Sequence, residues 1–131
     1  MSANPKHVYL AGSITKLDRE EARDWRIAVT EHLRSFDEWK VLDPTLLEAR
    51  LHDTTTIVRF DYGCILQSKV IIADVRVPSW GTAMEIAFAH MNRVPVVGWG
   101  KPSHRSPWLL HHVPVILPDP IFAADHILEN F

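Results

Sequence analysis

The sequence predicts a single α/β domain in which helices cover both faces of a five-stranded parallel sheet. Short apolar runs alternate along the chain with longer segments that have the apolar spacing of helices, and this alternation is typical of strand–helix–strand units. With 131 residues, 47% of them hydrophobic and 23% charged, the chain has the size and composition of one globular domain over residues 1–131. Five such strands favour the doubly wound, flavodoxin-like strand order.

Two strands and two helices are predicted in the first half of the chain. The first strand, His7–Ala11, ends in the turn Gly12-Ser13. Asp18 is a candidate N-cap of the next helix, with Glu21 as its capping-box partner three residues on. Apolar residues of this helix recur at three- and four-residue steps, at Ala22, Trp25, Val29 and Leu33. The predicted elements are a strand over 7–11, a helix over 18–36, a strand over 39–42 and, after three threonines, a helix over 57–67.

The second half opens with an apolar run that predicts a buried strand over residues 69–75. A helix over 82–92, strands over 94–98 and 114–117, and a closing helix over 120–131 complete the expected order. The stretch 100–112 is rich in proline, serine and histidine and is expected to be a loop. Its length indicates a functional role or a contact with a second subunit.

Charge and cysteine content exclude some classes of partner and compartment. The net charge of −2 leaves no basic footprint for a nucleic acid polymer, although single nucleotides stay possible ligands. The lone cysteine, Cys64, has no partner for an internal disulfide, which favours a reducing cytoplasm. The first residues lack the apolar core of a signal peptide, and no run is long enough to cross a membrane. We therefore expect a cytoplasmic protein that acts on a small molecule.

A turn of small residues, Ser79-x-Gly81-Thr82, lies where the third predicted strand ends and the next helix begins. Open α/β sheets bind ligands at this edge, outside the carboxyl ends of their strands. Backbone N–H groups at a helix start attract anions and hydroxyl groups. Glu85 is expected in the first turn of this helix, where its carboxylate would face the same crevice.

Two further groups are expected at this edge of a parallel sheet. The first strand contributes Tyr9, and the helix before the third strand contributes Asp61. Two carboxylates and a phenol match the chemistry of N-glycosidic bond cleavage: one carboxylate attacks or stabilises the anomeric carbon, and a second acid protonates the leaving base. A tyrosine hydroxyl can hold the attacking carboxylate in position. This chemistry requires no metal.

A set of motifs distributed over most of the chain, from about residue 9 to 107, carries a family resemblance. It consists of Tyr9-Leu10-Ala11-Gly12-Ser13-Ile14, Asp61, Ala73-Asp74-Val75 and Ser79-x-Gly81-Thr82-x-x-Glu85. In these motifs the chain resembles the nucleoside 2-deoxyribosyltransferase family, which also holds the 2'-deoxynucleoside 5'-monophosphate N-hydrolases.

The resemblance implies a flavodoxin-like fold, homo-oligomers with shared active sites and a covalent deoxyribosyl intermediate on a glutamate. It implies that Glu85 is the nucleophile, that Asp61 assists protonation of the base and that Tyr9 orients Glu85. It implies neither a metal nor an organic cofactor. The substrate-binding residues that it implies are Gly12, Ser13, Ile14, Ser79, Gly81, Thr82 and Ser106.

One position separates the two branches of the family on physical grounds. The transferases usually carry an aspartate six residues before the catalytic glutamate, whereas this chain has Ser79, as the monophosphate hydrolases do. An aspartate would repel a 5'-phosphate, and a serine hydroxyl can bind it. Thr15 and Lys16 stand where the hydrolases carry an arginine. In the hydrolases a serine of the neighbouring subunit completes the phosphate site; Ser106 is the candidate here, with His104 and Arg105 as sources of positive charge.

Structural interpretations of these residues stay open beside the functional ones. Glu85 could complement the helix dipole, Asp61 could pair with Lys69 on the surface, and Tyr9 could be a core aromatic residue. Asp74 is expected to end its strand rather than to do chemistry. At the level of function, a base-exchanging transferase and a non-catalytic nucleotide sensor on the same fold are the alternatives to a hydrolase.

Overall fold

The computed structural model describes residues 4–14, 19–47 and 50–131. The expectations for Thr15, Lys16 and the N-cap Asp18 lie outside the described residues. The elements are β1 Lys6–Ala11, α1 Arg19–Leu33, β2 Trp39–Leu42, α2 Pro44–Leu47, α3 Thr54–Gln67, β3 Val70–Asp74, α4 Trp80–Met91, β4 Val96–Trp99, α5 Pro107–His112, β5 Val115–Leu117 and α6 Pro120–Asn130.

The five strands form one sheet in the order β2-β1-β3-β4-β5, and every neighbouring pair is parallel. This order is the flavodoxin-like one, so the predicted fold class is confirmed. The order reverses direction around β1, because the chain crosses from β2 over β1 to β3. Ligand sites of open α/β sheets form outside the carboxyl ends of the strands at such a crossover.

Alternating side chains of β1 supply two separate apolar layers, as the two-residue period of a strand requires. Val8 and Leu10 face a core built with α1 and α6. Tyr9 and Ala11 face a second core built mainly with α3 and α4. All four side chains are fully buried, and each large apolar side chain contributes about 1.5–3 kcal/mol of burial free energy. Tyr9 is therefore directed to the layer that holds α4.

The helix that follows β3 begins earlier than the sequence suggests. Ser79 is its N-cap, with backbone angles of an extended residue and a side chain that accepts from the N–H of Thr82. The helix therefore starts at Trp80, and the expectation that Glu85 lies in the first turn is wrong: it lies in the second. The cause is the cap itself, since serine satisfies a helix N–H two or three residues on. Similarly, α3 starts at Thr54 because Asp53 caps it.

The expectation that 100–112 is a loop is wrong for its second half, because α5 lies there. Ser106 caps this short helix by accepting from the N–H of Trp108, and Pro107 occupies the first turn. Serine followed by proline is a recognisable helix start, so the sequence contained the signal. The helix α2 likewise starts at a proline after a capping aspartate, Asp43, which accepts from the N–H of Thr45.

Three tryptophans and the cysteine are buried, as the sequence predicts. Trp25, Trp39 and Trp99 belong to the core, and the rings of Trp25 and Trp99 lie 5.5 Å apart. Cys64 is buried in the α3–α4 layer with a free thiol. A search of the described residues finds no helix with the length and apolar character that crossing a membrane requires.

Candidate active site

The central contact of the site joins β1 to α4. Tyr9 is fully buried, and its hydroxyl donates a hydrogen bond to Oε2 of Glu85, which is 76 positions away in the chain. The sequence predicts that these two side chains meet, and the geometry brings them together. A buried phenol that donates to a carboxylate fixes the direction in which the carboxylate lone pairs point.

Asp61 lies on the face of α3 that is directed into the protein. It precedes Cys64 and Ile65 by three and four positions, and both of these are buried in the layer that contains Tyr9. Residues at this spacing share one face of a helix. The Oδ1 atom of Asp61 is itself buried. The helices α3 and α4 pack against each other, as the stacked rings of Tyr62 and Phe88 show, whose centroids are 4.0 Å apart.

The turn after β1 packs closely against the end of β3. A Cβ atom on Gly12 would lie 3.0 Å from Cβ of Asp74 and 3.1 Å from Cζ2 of Trp25, which is closer than a larger residue tolerates. Ser13 is buried beside it, and Ile14 is exposed. The Gly12-Ser13 turn therefore lies against the carboxyl end of β3, at the sheet edge where the sequence predicts the crevice, and glycine favours this close approach.

Asp74 has a structural environment. It accepts from the backbone N–H of Arg76 at 3.0 Å and from its Nε at 3.0 Å and Nη2 at 2.8 Å. These hydrogen bonds raise the pKa of Arg76. The guanidinium also stacks on Trp99, 4.5 Å from the ring centre. Asp74 thus ends its strand in a local ion pair, as expected.

A cavity of about 630 Å3 lies between the start of α4 and α5. Thr82 is only 6% exposed, and its Oγ1 has no hydrogen-bond partner within the described parts of the chain. Leaving a buried hydroxyl unpaired costs about 1–3 kcal/mol, so this atom marks a place where a ligand oxygen would be stabilised. Residues of the predicted substrate site and two aromatic residues line the cavity: Ser79, Thr82, Ser106, His104, Trp80 and Trp108.

The side chains predicted to hold a phosphate do not all meet in this cavity. Ser106 lies in the same cavity as Ser79 of the same chain, whereas the resemblance implies a serine from a neighbouring subunit. His104 also lines it, but Arg105 lines a separate cavity near the ends of β4 and β5. Gly81 leaves open space, since a Cβ there would meet nothing within 4 Å.

The predicted nucleophile does not line the cavity, although it lies on the same helix. The α4 residues that line the cavity face α5, while Glu85 reaches toward Tyr9 of β1, and neither Glu85 nor Tyr9 is among the lining residues. Thr82 and Glu85 are three positions apart, about 4.5 Å along the helix axis.

Two features of this edge were missed by the sequence interpretation. Arg26, a fully buried arginine of α1, donates to the carbonyl oxygen of Gly12. It lies four positions after Ala22 and three before Val29, on the apolar stripe of α1, and this position was the available signal. The second feature is the unpaired hydroxyl of Thr82, which has no signal in the sequence.

Comparison with known proteins agrees with the family resemblance. No protein-family model matches the chain. A segment of 60 residues, 45% of this chain, is 40% identical to the putative 2'-deoxynucleoside 5'-phosphate N-hydrolase 1 of Methanosarcina barkeri. The matched segment spans 38% of that curated relative, which is less than half of its length.

Three solved structures share the fold over nearly the whole chain. A conserved protein from Enterococcus faecalis has a TM-score of 0.78 at 12% identity, covering 97% of this chain and 99% of its own. A 2-deoxyribosyltransferase from Bacillus psychrosaccharolyticus has 0.67 at 17%, covering 95% and 91%. The CMP N-glycosidase of Clostridium botulinum has 0.67 at 18%, covering 96% and 100%. At these identities the likeness establishes the fold, and with the curated relative it confirms the resemblance predicted from the sequence.

Replacing Thr82 by valine tests whether its hydroxyl has a structural partner. Because Oγ1 is unpaired in the described structure, we expect Thr82→Val to leave the free energy of unfolding unchanged or to raise it slightly. The control is Ser68→Ala, since the buried Ser68 hydroxyl donates to the Cys64 carbonyl oxygen at 2.7 Å. Ser68→Ala should cost about 0.5–1.5 kcal/mol in urea unfolding. An equal loss in Thr82→Val would contradict the assignment of an unpaired hydroxyl.

Proposed function

We propose, from the resemblance to the nucleoside 2-deoxyribosyltransferase family, that this protein is an enzyme that cleaves an N-glycosidic bond, with 2'-deoxynucleoside 5'-monophosphates as its substrates and water as the acceptor. The observation that carries the proposal is a pair of groups one turn apart on α4: Glu85, which accepts a hydrogen bond from Tyr9, and Thr82, whose hydroxyl has no partner among the described residues. The first suits the sugar and the second suits the phosphate.

In the proposed reaction, Glu85 attacks C1' of the deoxyribose as the bond from C1' to the base nitrogen breaks. The electron pair of that bond leaves with the base, and Asp61 assists its protonation. Water then attacks C1' of the deoxyribosyl ester while Asp61 takes one of its protons, and the C1'–Oε bond breaks, which releases 2-deoxyribose 5-phosphate and restores the Glu85 carboxylate. Two carboxyl groups with these separate duties are the usual arrangement for glycosidic bond cleavage with a covalent intermediate.

Tyr9 has the role of orienting the nucleophile. Its hydroxyl donates to Oε2 of Glu85 and so restricts the directions in which this carboxylate can point. Because Tyr9 lies in the middle of the sheet and is fully buried, the position of its hydroxyl is set by the fold. A nucleophile held in one orientation loses little freedom on reaching the transition state.

The start of α4 is the proposed phosphate site. Its N–H groups carry the positive end of the helix dipole, and Ser79, Thr82 and the nearby Ser106 offer hydroxyl groups. The hydroxyl of Thr82 would gain a partner that the protein does not provide in the described residues. Among the described residues that line this cavity, Asp74 is the one carboxylate, and its charge is paired with Arg76.

Base exchange is the second candidate, because the cavity walls are largely apolar. Trp80 and Trp108 lie beside it with 81% and 78% of their surfaces exposed, and either ring could stack on a base. A second base bound there would exclude water and compete as the acceptor. Base release measured with and without a second base therefore distinguishes water from a base as the acceptor.

We also propose that two copies of the chain associate through the outer face of α4 and α5. Large apolar side chains of Trp80, Met84, Met91 and Trp108 are exposed on these helices, and contiguous exposed apolar surface is typical of protein interfaces. Sedimentation equilibrium should give a mass near twice 15.0 kDa, and Trp80→Ser with Trp108→Ser should shift the mass toward the monomer. A monomer for the unchanged protein at 100 μM, on the order of typical assay concentrations, would contradict the dimer.

The first activity test measures base release from a panel of deoxynucleosides and their 5'-monophosphates, with and without a second base. We expect release from monophosphates without an acceptor, a loss of about 1,000-fold or more in Glu85→Gln, and a loss of about 10–100-fold in Tyr9→Phe because one hydrogen bond to a charged group is removed. Chromatography of the free base is the measurement.

The matched control for the nucleophile is Glu129→Gln, an exposed glutamate of α6, which should keep full activity. Exchange that occurs only with free nucleosides and an acceptor base would establish the transferase instead. Nucleotide binding that survives Glu85→Gln, with no base release by the unchanged protein, would establish the nucleotide sensor.

A pair of substitutions at the cap of α4 tests the phosphate assignment. Aspartate and asparagine both cap helices as well as serine does, so Ser79→Asp and Ser79→Asn should both fold. Only the aspartate adds a negative charge to the cavity. We expect Ser79→Asp to raise KM for the monophosphate by about tenfold or more and to leave KM for the free nucleoside nearly unchanged, whereas Ser79→Asn changes both little. Equal effects of the two substitutions would place the phosphate elsewhere.

A further inference from the structure

Arg26 is a fully buried cation that the proposed reaction has not used. Its side chain has no exposed surface, and it lies on α1 next to the core residue Trp25 and three positions before the core residue Val29. Its guanidinium lies over the ring of Trp25, 4.9 Å from the ring centre. Burying a charge is costly unless the charge is paired and hydrogen-bonded, so the partners of Arg26 indicate what this position does.

Those partners are backbone carbonyl groups at the carboxyl end of β1 and one carboxylate after β2. The Nε of Arg26 donates to the carbonyl of Leu10 at 3.4 Å, and Nη2 donates to the carbonyl of Gly12 at 3.1 Å. Nη1 donates to the carbonyl of Ala22 in its own helix. The Oδ1 of Asp43 lies 3.7 Å from Nε. One side chain therefore joins α1, the turn after β1 and the end of β2.

The turn that Arg26 holds forms the edge of the candidate active site. Gly12 is pressed between Asp74 and Trp25, and a Cβ there would lie 3.4 Å from Nη2 of Arg26. The carbonyl of Gly12 points inward to the guanidinium, which fixes the direction of the following Ser13. A shorter or apolar side chain at position 26 would remove the hydrogen bond that holds the Gly12 carbonyl.

The charge of Arg26 also acts on the Tyr9–Glu85 pair. Burial lowers the pKa of Arg26, and the charges of Asp43, Tyr9, Glu85 and Asp74 act in the opposite direction. Arginine remains protonated in proteins across the physiological range. Because an electrostatic interaction is mutual, the cation favours the ionised form of Glu85 to the same extent that Glu85 favours the cation.

We propose that Arg26 is a positioning residue of the active site, which holds the Gly12-Ser13 turn in place through its hydrogen bonds to the carbonyl groups of Leu10 and Gly12 and whose charge favours the ionised form of Glu85. As a statement about catalysis it rests on the proposed function. Among the described residues, the groups whose charges act on Arg26 are Tyr9 of β1, Asp43 after β2, Asp74 of β3 and Glu85 of α4, and Asp74 is itself paired with Arg76.

The test compares Arg26→Met, which removes the charge, with Arg26→Lys, which keeps it. In Arg26→Met the acidic limb of the kcat/KM pH profile should move to higher pH by about half a unit or more, because the nucleophile must be ionised and has lost a favourable charge. In Arg26→Lys the limb should stay in place while KM rises severalfold, since one ammonium cannot reproduce the planar fork of the guanidinium. Arg23→Met, a half-exposed arginine of the same helix, is the control and should change neither.

A second readout does not depend on activity. The carboxyl carbons of 13C-labelled glutamate are titrated by NMR in each variant, and the Glu85 signal is assigned by its loss in Glu85→Gln. The pKa of Glu85 should rise in Arg26→Met and stay in place in Arg26→Lys. If this shift is seen in a protein that releases no base from any substrate, the proposed function fails and the charge assignment stands.

The proposal is overturned by a folded Arg26→Met with an unmoved Glu85 titration and an unmoved acidic limb. If Arg26→Met does not give a cooperative thermal transition, Arg26→Lys decides. An unchanged KM in Arg26→Lys, together with unchanged affinity for 2-deoxyribose 5-phosphate by calorimetry, would show that the turn does not need the guanidinium.

Discussion

Parallel pairing of β1 with β3 is the constraint on which the candidate site depends. The register places Ala11 beside Ala73, and both strands end within one residue of this pair. Because β1 and β3 end at the same edge of the sheet, the turn after β1 packs against the end of β3. A Cβ atom on Gly12 would lie only 3.0 Å from Cβ of Asp74. The same register holds Tyr9, two residues earlier, at the depth where its hydroxyl reaches Glu85.

Two arginines stabilise the geometry of this edge in different ways. Arg26 is buried and holds backbone carbonyl groups, whereas Arg76 is partly exposed and holds the carboxylate of Asp74. Arg26 donates to the carbonyl groups of Leu10 and Gly12, and Arg76 donates to the carboxylate of Asp74, so each cation satisfies hydrogen-bond acceptors at this edge. Buried ion pairs add little net stability, so the main effect of both arginines is on the position of the turns.

The helix α4 gives the two sides of the site different chemistry. Glu85 and Thr82 are one turn apart, yet the first reaches β1 and the second lies against the cavity beside α5. Residues three positions apart lie on the same face of a helix, about 60° from each other around its axis, so the carboxylate and the hydroxyl are neighbours along α4. The fold itself is shared with a 2-deoxyribosyltransferase and a CMP N-glycosidase.

The strands, their parallel order and the motif residues were determined by the sequence alone, because apolar periods and turn residues act over short distances along the chain. The start of α5 also has a local signal, the N-cap Ser106 followed by Pro107, but the sequence interpretation predicted a loop there. Tertiary structure decided what local patterns do not contain: that the Tyr9 hydroxyl meets Glu85 across 76 positions, that Arg26 points inward to Gly12, and that the Thr82 hydroxyl is buried without a partner in the described chain. Each of these depends on which strands are neighbours and in which register, and that choice is made by packing the whole core at once.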